Sequence, residues 1–159
     1  MADMHIGDVH LASNLLLAPM AGITVLPFRL LCRSLGGVGL AGSELLNCHA
    51  IVKRIPKVIE KATPHPDDKP LFIQVYGNAE DPLPEAAAWA ARQGVATVDI
   101  NMGCPVRKIA RKGSGSGLIK EPALAMEIVK NVVAAVKIPV TVKTRLGWCK
   151  KSSDPIQFA

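Results

Sequence analysis

Short β-rich runs alternating with longer helical ones predict an α/β protein with a parallel sheet, of the (β/α)8 (TIM) barrel class. Two further observations favour a barrel over a doubly wound sheet. Each later strand has one aliphatic face and one face that turns polar toward its C-terminal end, as in a barrel with a site at its C-terminal mouth. A doubly wound sheet more often carries apolar residues on both faces. The composition, 49% hydrophobic and 20% charged, is that of a chain with a packed core, and at 4% aromatic content that core is filled by aliphatic residues and alanine.

The elements follow in order. Leu15 to Ala18 is a compact apolar strand closed by Pro19. Pro27 to Leu35 reads as a helix that stops at Gly36-Gly37. Val38 to Ala41 is a second strand, Glu44 to Ile51 a helix, and Arg54 to Ala62 another with Pro56 near its start. Thr63 to Lys69 is a turn-rich loop. Leu71 to Tyr76 is the third strand, with Leu71, Ile73 and Val75 on one face and Phe72, Gln74 and Tyr76 on the other. Asp81 to Gln93 is an alanine-rich helix with its prolines at the tolerant N-terminal end. Val95 to Met102 is the fourth strand, where Val98, Ile100 and Met102 oppose Asp99 and Asn101. Pro122 to Val136 is a helix with Leu124, Ile128 and Val132 at helical spacing. Pro139 to Lys143 is the fifth strand, and Ser153 to Ala159 reads as the opening of a further helix. A closed barrel needs eight strands and roughly 250 residues. Residues 1–159 are therefore expected to be the N-terminal portion of such a domain, with the later strands absent.

Charge and cysteine usage narrow the function. The net charge is +6, which favours anionic partners or a merely basic surface. The four cysteines, Cys32, Cys48, Cys104 and Cys149, include no C-x-x-C pair, so neither a metal site nor a disulfide framework is expected. The N-terminus lacks a basic n-region, and no run approaches the ~20 apolar residues of a membrane span. A cytoplasmic protein without membrane contact is the expectation.

Four groups of residues carry possible chemistry. In Asp99-Ile100-Asn101-Met102-Gly103-Cys104-Pro105 a polar strand end is followed by a loop cysteine, either a functional thiol or an incidental one. Leu17 to Thr24 puts small residues and Pro19 after the first strand, either as a plain strand-to-helix turn or as a seat for a planar ligand. Gln74, Asn101, Lys143 and Arg145 lie on the polar faces of strand ends. A strand lysine needs a negative partner, which could be a ligand or an internal carboxylate such as Asp99 or Glu44. Arg107, Lys108, Arg111 and Lys112 follow the cysteine loop and precede Gly113-Ser114-Gly115-Ser116-Gly117. They are either a solvated face or a phosphate contact, and Lys53, Arg54, Lys57 and Lys61 form a second basic group. The glycine-serine run lacks the G-K-[S/T] of a triphosphate-binding loop.

Together these segments resemble the tRNA-dihydrouridine synthase family. The resemblance rests on A-P-M-A-G-x-T at Ala18 to Thr24, P-F-R at Pro27 to Arg29, Q-x-x-G at Gln74 to Gly77, D-I-N-x-G-C-P at Asp99 to Pro105 and V-K-x-R-x-G at Val142 to Gly147. It implies an FMN-binding barrel followed by a helical tRNA-binding domain. It implies that Pro19, Met20 and Ala21 lie against the flavin, that Gln74 hydrogen-bonds its ring, and that Lys143 sits by its pyrimidine end. Asn101 and Arg145 would then meet the substrate, and Arg107, Lys108, Arg111 and Lys112 the tRNA backbone. Cys104 is the implied proton donor at C5 of the uracil ring, a task a thiol of pKa ~8.5 can perform. The reductant implied is NADPH, the partner tRNA, and the oligomeric state a monomer. An FMN-dependent reductase of free pyrimidines fits less well, because the N-x-G-C-P order and the basic cluster argue against it. A non-catalytic RNA-binding fragment would differ by its lack of flavin absorbance.

Overall fold

A computed structural model describes residues 4–149 and Phe158. The chain runs β1 (Met4–Ile6), β2 (Val9–Leu11), β3 (Leu15–Leu17), α1 (Leu26–Ser34), β4 (Val38–Asn47), α2 (Cys48–Val52), α3 (Pro56–Ala62), β5 (Leu71–Tyr76), α4 (Leu83–Arg92), β6 (Thr97–Asn101), α5 (Arg107–Ala110), a 3-10 turn (Gly115–Lys120), α6 (Pro122–Ala135) and β7 (Val140–Lys143). The five strands β3-β4-β5-β6-β7 pair in parallel, in chain order. A doubly wound sheet reverses its strand order at a switch point. Here every strand adds beside its predecessor, so all the C-terminal ends lie on one rim, as in the N-terminal part of a (β/α)8 barrel. No helix among the described residues is long and apolar enough to cross a membrane.

The alternation read from the sequence sorts the side chains as expected. Ile73, Val75, Val98, Ile100 and Met102 join Trp89, Ala86, Ala90, Ile128 and Val132 in the main core between sheet and helices. Phe72, on the opposite face, packs with Leu11 and Leu40 in a second cluster, which Met4, Ile6 and Val9 of the N-terminal hairpin close. The barrel interior is thus apolar at the strands' N-terminal end and polar toward the rim.

The structure departs from or adds to the sequence reading in three places. The hairpin β1–β2 is missing from the sequence reading, although Ile6-Gly7-Asp8-Val9 carries its signal: Gly7 turns the chain at φ +56°. The helix expected over Glu44 to Ile51 is strand in its first half and helix in its second. β4 continues to Asn47, because Leu45, Leu46 and Asn47 pair with Gln74, Val75 and Tyr76 of β5. Two adjacent leucines fit either period, and only this long-range pairing decides between them. Helix α2 begins at Cys48, where the Asn47 side chain caps it by accepting the Ala50 N–H at 3.2 Å. Third, the basic stretch after Cys104 begins in the short helix α5 and ends in the turn after it, and the glycine-serine run leads into a 3-10 turn. The helix expected to open at residue 153 lies outside the described residues apart from Phe158.

Candidate active site

The parallel strands deliver the candidate residues to one rim. Pro19, Met20 and Ala21 follow β3, Gln74 lies in β5, Asn101 ends β6 ahead of Cys104, and Lys143 ends β7 ahead of Arg145. Lys143 pairs in register with Asn101, and Asp99 with both Gln74 and Thr141.

Below the rim these residues form a buried polar layer. Gln74 Nε2 donates to Asp99 Oδ2 at 2.6 Å, and Thr141 Oγ1 donates to Asp99 Oδ1 at 2.6 Å. Asn101 Nδ2 donates to Gln74 Oε1 at 2.9 Å, and the Gln74 backbone N–H donates to Ser43 Oγ at 3.1 Å. Burial pushes the Asp99 carboxyl above the usual carboxylate range, although Thr141, Gln74 and the positive charge of Lys143 each oppose that shift. Lys143 itself is exposed and makes no ion pair among the described residues. Of the two internal carboxylates considered for it, Asp99 feels its charge without forming an ion pair, and Glu44 is engaged elsewhere.

The Cys104 loop hangs on Asn101. Asn101 Oδ1 accepts the N–H of Cys104 at 2.9 Å and of Gly103 at 3.3 Å. With its other atom bound to Gln74, Asn101 keeps one N–H free. Gly103 lets β7 approach: a Cβ there would lie 3.3 Å from the Thr144 carbonyl oxygen. Arg145 Nη1 donates to the Gly103 carbonyl at 3.2 Å. From behind, the Ser116 N–H donates to the Cys104 carbonyl at 3.0 Å. Gly115, at φ +55°, is held so close that a Cβ would sit 2.8 Å from that carbonyl oxygen. The glycine-serine run therefore backs the cysteine loop. Cys104 remains half-buried at the surface of this scaffold, with its backbone fixed on both sides.

The 18–24 loop is held as firmly. Thr24 Oγ1 accepts the Met20 N–H at 3.0 Å and donates to the Met20 carbonyl at 3.1 Å. Pro19 lies over Gly42, where an added Cβ would come within 2.8 Å of the proline ring and 2.4 Å of Phe72. Glu44, which sequence reasoning did not single out as a site residue, reaches from β4 to accept the Gly22 N–H, and its other oxygen pairs with Lys61 Nζ at 2.8 Å. Burial would raise the Glu44 carboxyl, but Lys61, the Gly22 N–H and Arg29 together hold it below its ordinary value. Arg29 of the P-F-R segment is buried, donates to the Thr24 carbonyl at 2.6 Å and binds Asp68 at 2.7 Å. No local pattern marks Glu44 or Asp68, because their partners lie 22 and 39 residues away.

Arg107, Lys108, Arg111 and Lys112 are all exposed beside the cysteine loop. Their spacing splits them into two pairs, each four residues apart on a helical turn. Lys108 and Lys112 border a cleft against Tyr76 and Asn78. The second basic group disperses: Lys61 pairs with Glu44, while Arg54 lies over the Trp89 ring at 5.1 Å. Among the described residues, Cys48, His49 and Asp81 bring their ligand atoms within 4.8 Å of one another, a grouping that sequence spacing does not reveal. His49 Nε2 and Asp81 Oδ1 are 2.7 Å apart and hydrogen-bond each other directly, and burial pushes the Cys48 thiol up to about 12.

Comparison with known proteins adds a family. Residues 16–159 match the model of the family described as dihydrouridine synthase (Dus). The chain is 43% identical over 158 residues to a protein of Synechocystis named "Probable tRNA-dihydrouridine synthase 1", covering 98% of this chain and 44% of that protein. It is 41% identical over 157 residues to the tRNA-dihydrouridine synthase B of Yersinia pestis and 39% identical over 156 residues to that of Vibrio cholerae, in each case covering 98% of this chain and 48% of the relative. The chain thus spans about half the length of the curated relatives it matches.

Proposed function

The chain belongs to the dihydrouridine synthase family, and from that premise we propose that it serves the reduction of uridine in tRNA, with FMN as resident cofactor, NADPH as reductant and Cys104 as proton donor. The observation that carries this reading is the anchored cysteine loop. Asn101 and Ser116 fix the Cys104 backbone on the strand-end rim, where a planar substrate would lie.

The residues present suit a flavin. The 18–24 loop offers Pro19, Met20 and Ala21 at the rim, and Met20 is exposed. Lys143 supplies an exposed cation without an ion-pair partner among the described residues. Gln74 retains one amide hydrogen and one lone pair beyond its bonds to Asp99 and Asn101. When bound, the flavin supplies the hydride that reduces the C5=C6 bond of the uracil ring.

Cys104 delivers the matching proton to C5 and is left as a thiolate, which recovers its proton from water. Asn101 positions that thiol and has one N–H left for the base. Arg145, tied to the Gly103 carbonyl, places positive charge where the uracil gains electron density, and Lys143 would do the same for the pyrimidine end of the flavin. A uridine inside folded tRNA must be swung out to reach the rim. The four exposed cations after Cys104 hold the backbone meanwhile.

The test is direct. Unmodified tRNA incubated with the protein, FMN and NADPH should gain the mass of two hydrogens per modified uridine. A protein that binds tRNA but takes up no FMN, and leaves the tRNA mass unchanged, would refute the enzymatic reading.

A further inference from the structure

A second cleft opens on the same rim, across the Cys104 loop. It encloses about 490 Å3, and its wall includes Asn47, His49, Tyr76, Asn78, Lys108 and Lys112. Register explains the wall that comes from the sheet. Asn47 pairs with Tyr76 at the ends of β4 and β5. Tyr76 shares the face of Gln74, two residues on and nearer the rim. The opposite wall is α5 and the turn after it, where Lys108 and Lys112 point to the same side. The acid in the cleft is already engaged: Asp81 binds His49 through Oδ1 at 2.7 Å and accepts the Asn78 N–H through Oδ2 at 2.9 Å. The lysines are therefore the uncompensated charge. Asn78 is fixed in turn, since Nδ2 donates to the Lys112 carbonyl at 3.2 Å and Oδ1 accepts the Glu80 N–H at 2.9 Å.

We propose that this cleft takes the nucleotide adjoining the uridine under reduction, its phosphate on Lys108 and Lys112 and its base against the Tyr76 ring. The inference rests on the tRNA reading above and specifies where the strand goes. An aromatic face opposite a pair of cations is the combination that holds single-stranded nucleic acid. The space exceeds what a lone phosphate needs. The Cys104–Ser114 segment forms one wall of the cleft and also carries the proton donor. A strand with one base turned out beside Cys104 has to cross that segment, and the cleft lies on its far side.

The test uses the 159-residue chain and a fluorescently labelled pentauridylate, read by anisotropy. Tyr76→Leu keeps apolar bulk but loses the ring, and should weaken binding about tenfold, within the range of one base–aromatic stack. Its salt dependence should equal that of wild type, because no charge is removed, and Tyr76→Phe should restore affinity. Photo-crosslinking of the wild-type chain to the same oligomer carrying 5-bromouridine should give adducts on Tyr76 or His49, a result that needs no variant to fold. Tyr76→Leu binding as tightly as wild type, or adducts confined to other parts of the chain, would overturn the subsite and leave the tRNA reading standing. Failure of the wild-type chain to bind any RNA would remove both.

Discussion

Asn101 links the buried layer to the surface loop, and its atoms are almost fully committed: Oδ1 holds two backbone N–H groups of the cysteine loop and Nδ2 holds Gln74. Asn101→Ala should therefore slow uridine reduction by more than tenfold while leaving the thiol count unchanged, measured by dihydrouridine formation and thiol titration. The two buried carboxylates titrate with opposite consequences. Asp99 has a folded-state value above its ordinary one, so the folded state holds the proton more tightly. Stability then falls as pH rises from the ordinary carboxylate range through the raised value. Glu44 has a lowered value, so its stabilisation is present above the ordinary range and is lost as pH falls through the depressed one. Urea midpoints measured against pH should lose the first slope in Asp99→Asn and the second in Glu44→Gln; unchanged profiles would contradict both assignments. Sequence alternation alone identified Gln74, Asp99 and Asn101 as a shared polar face. It could not reach Glu44, whose two partners come from different elements.

At the scale of elements, helix α1 is held by charge as much as by packing. Arg29 and Arg33 each place Nε 2.7 Å from a different oxygen of Asp68, which is fully buried. Arg33 also donates to the Pro70 carbonyl at 2.6 Å, so the 63–70 loop and α1 lock together and fix the Thr24 end of the rim loop. Asp68→Ala strands a buried guanidinium and should cost about 3–5 kcal/mol in urea unfolding; a loss below about 1 kcal/mol would show that the ion pair contributes little. Read locally, Thr63 to Lys69 was only a turn-rich loop, because nothing in its composition announces a counter-ion for a helix 35 residues or more away. Strands β3, β5, β6 and β7 and the long helices α4 and α6 were legible because their periodicity is local. The end of β4 was not, since pairing with β5 outweighed any helical tendency of its leucines.

For the whole molecule, chain-ordered parallel strands explain why motifs scattered from Ala18 to Gly147 meet on one rim. The same arrangement sets Arg107, Lys108, Arg111 and Lys112 beside that rim with a net charge of +6 behind them. Replacing these four by alanine should reduce the slope of log K against log salt for tRNA by about 3, at ~0.7–0.9 per phosphate contact. An unaltered slope would mean that they are only solvated. The central claim is narrower, that the thiol on this scaffold delivers the proton at C5. Its most direct test is the rate of dihydrouridine formation in tRNA by Cys104→Ala, with FMN content measured on the same sample. The account predicts a loss of at least about 100-fold with FMN content unchanged. Dihydrouridine formed at the wild-type rate would contradict it.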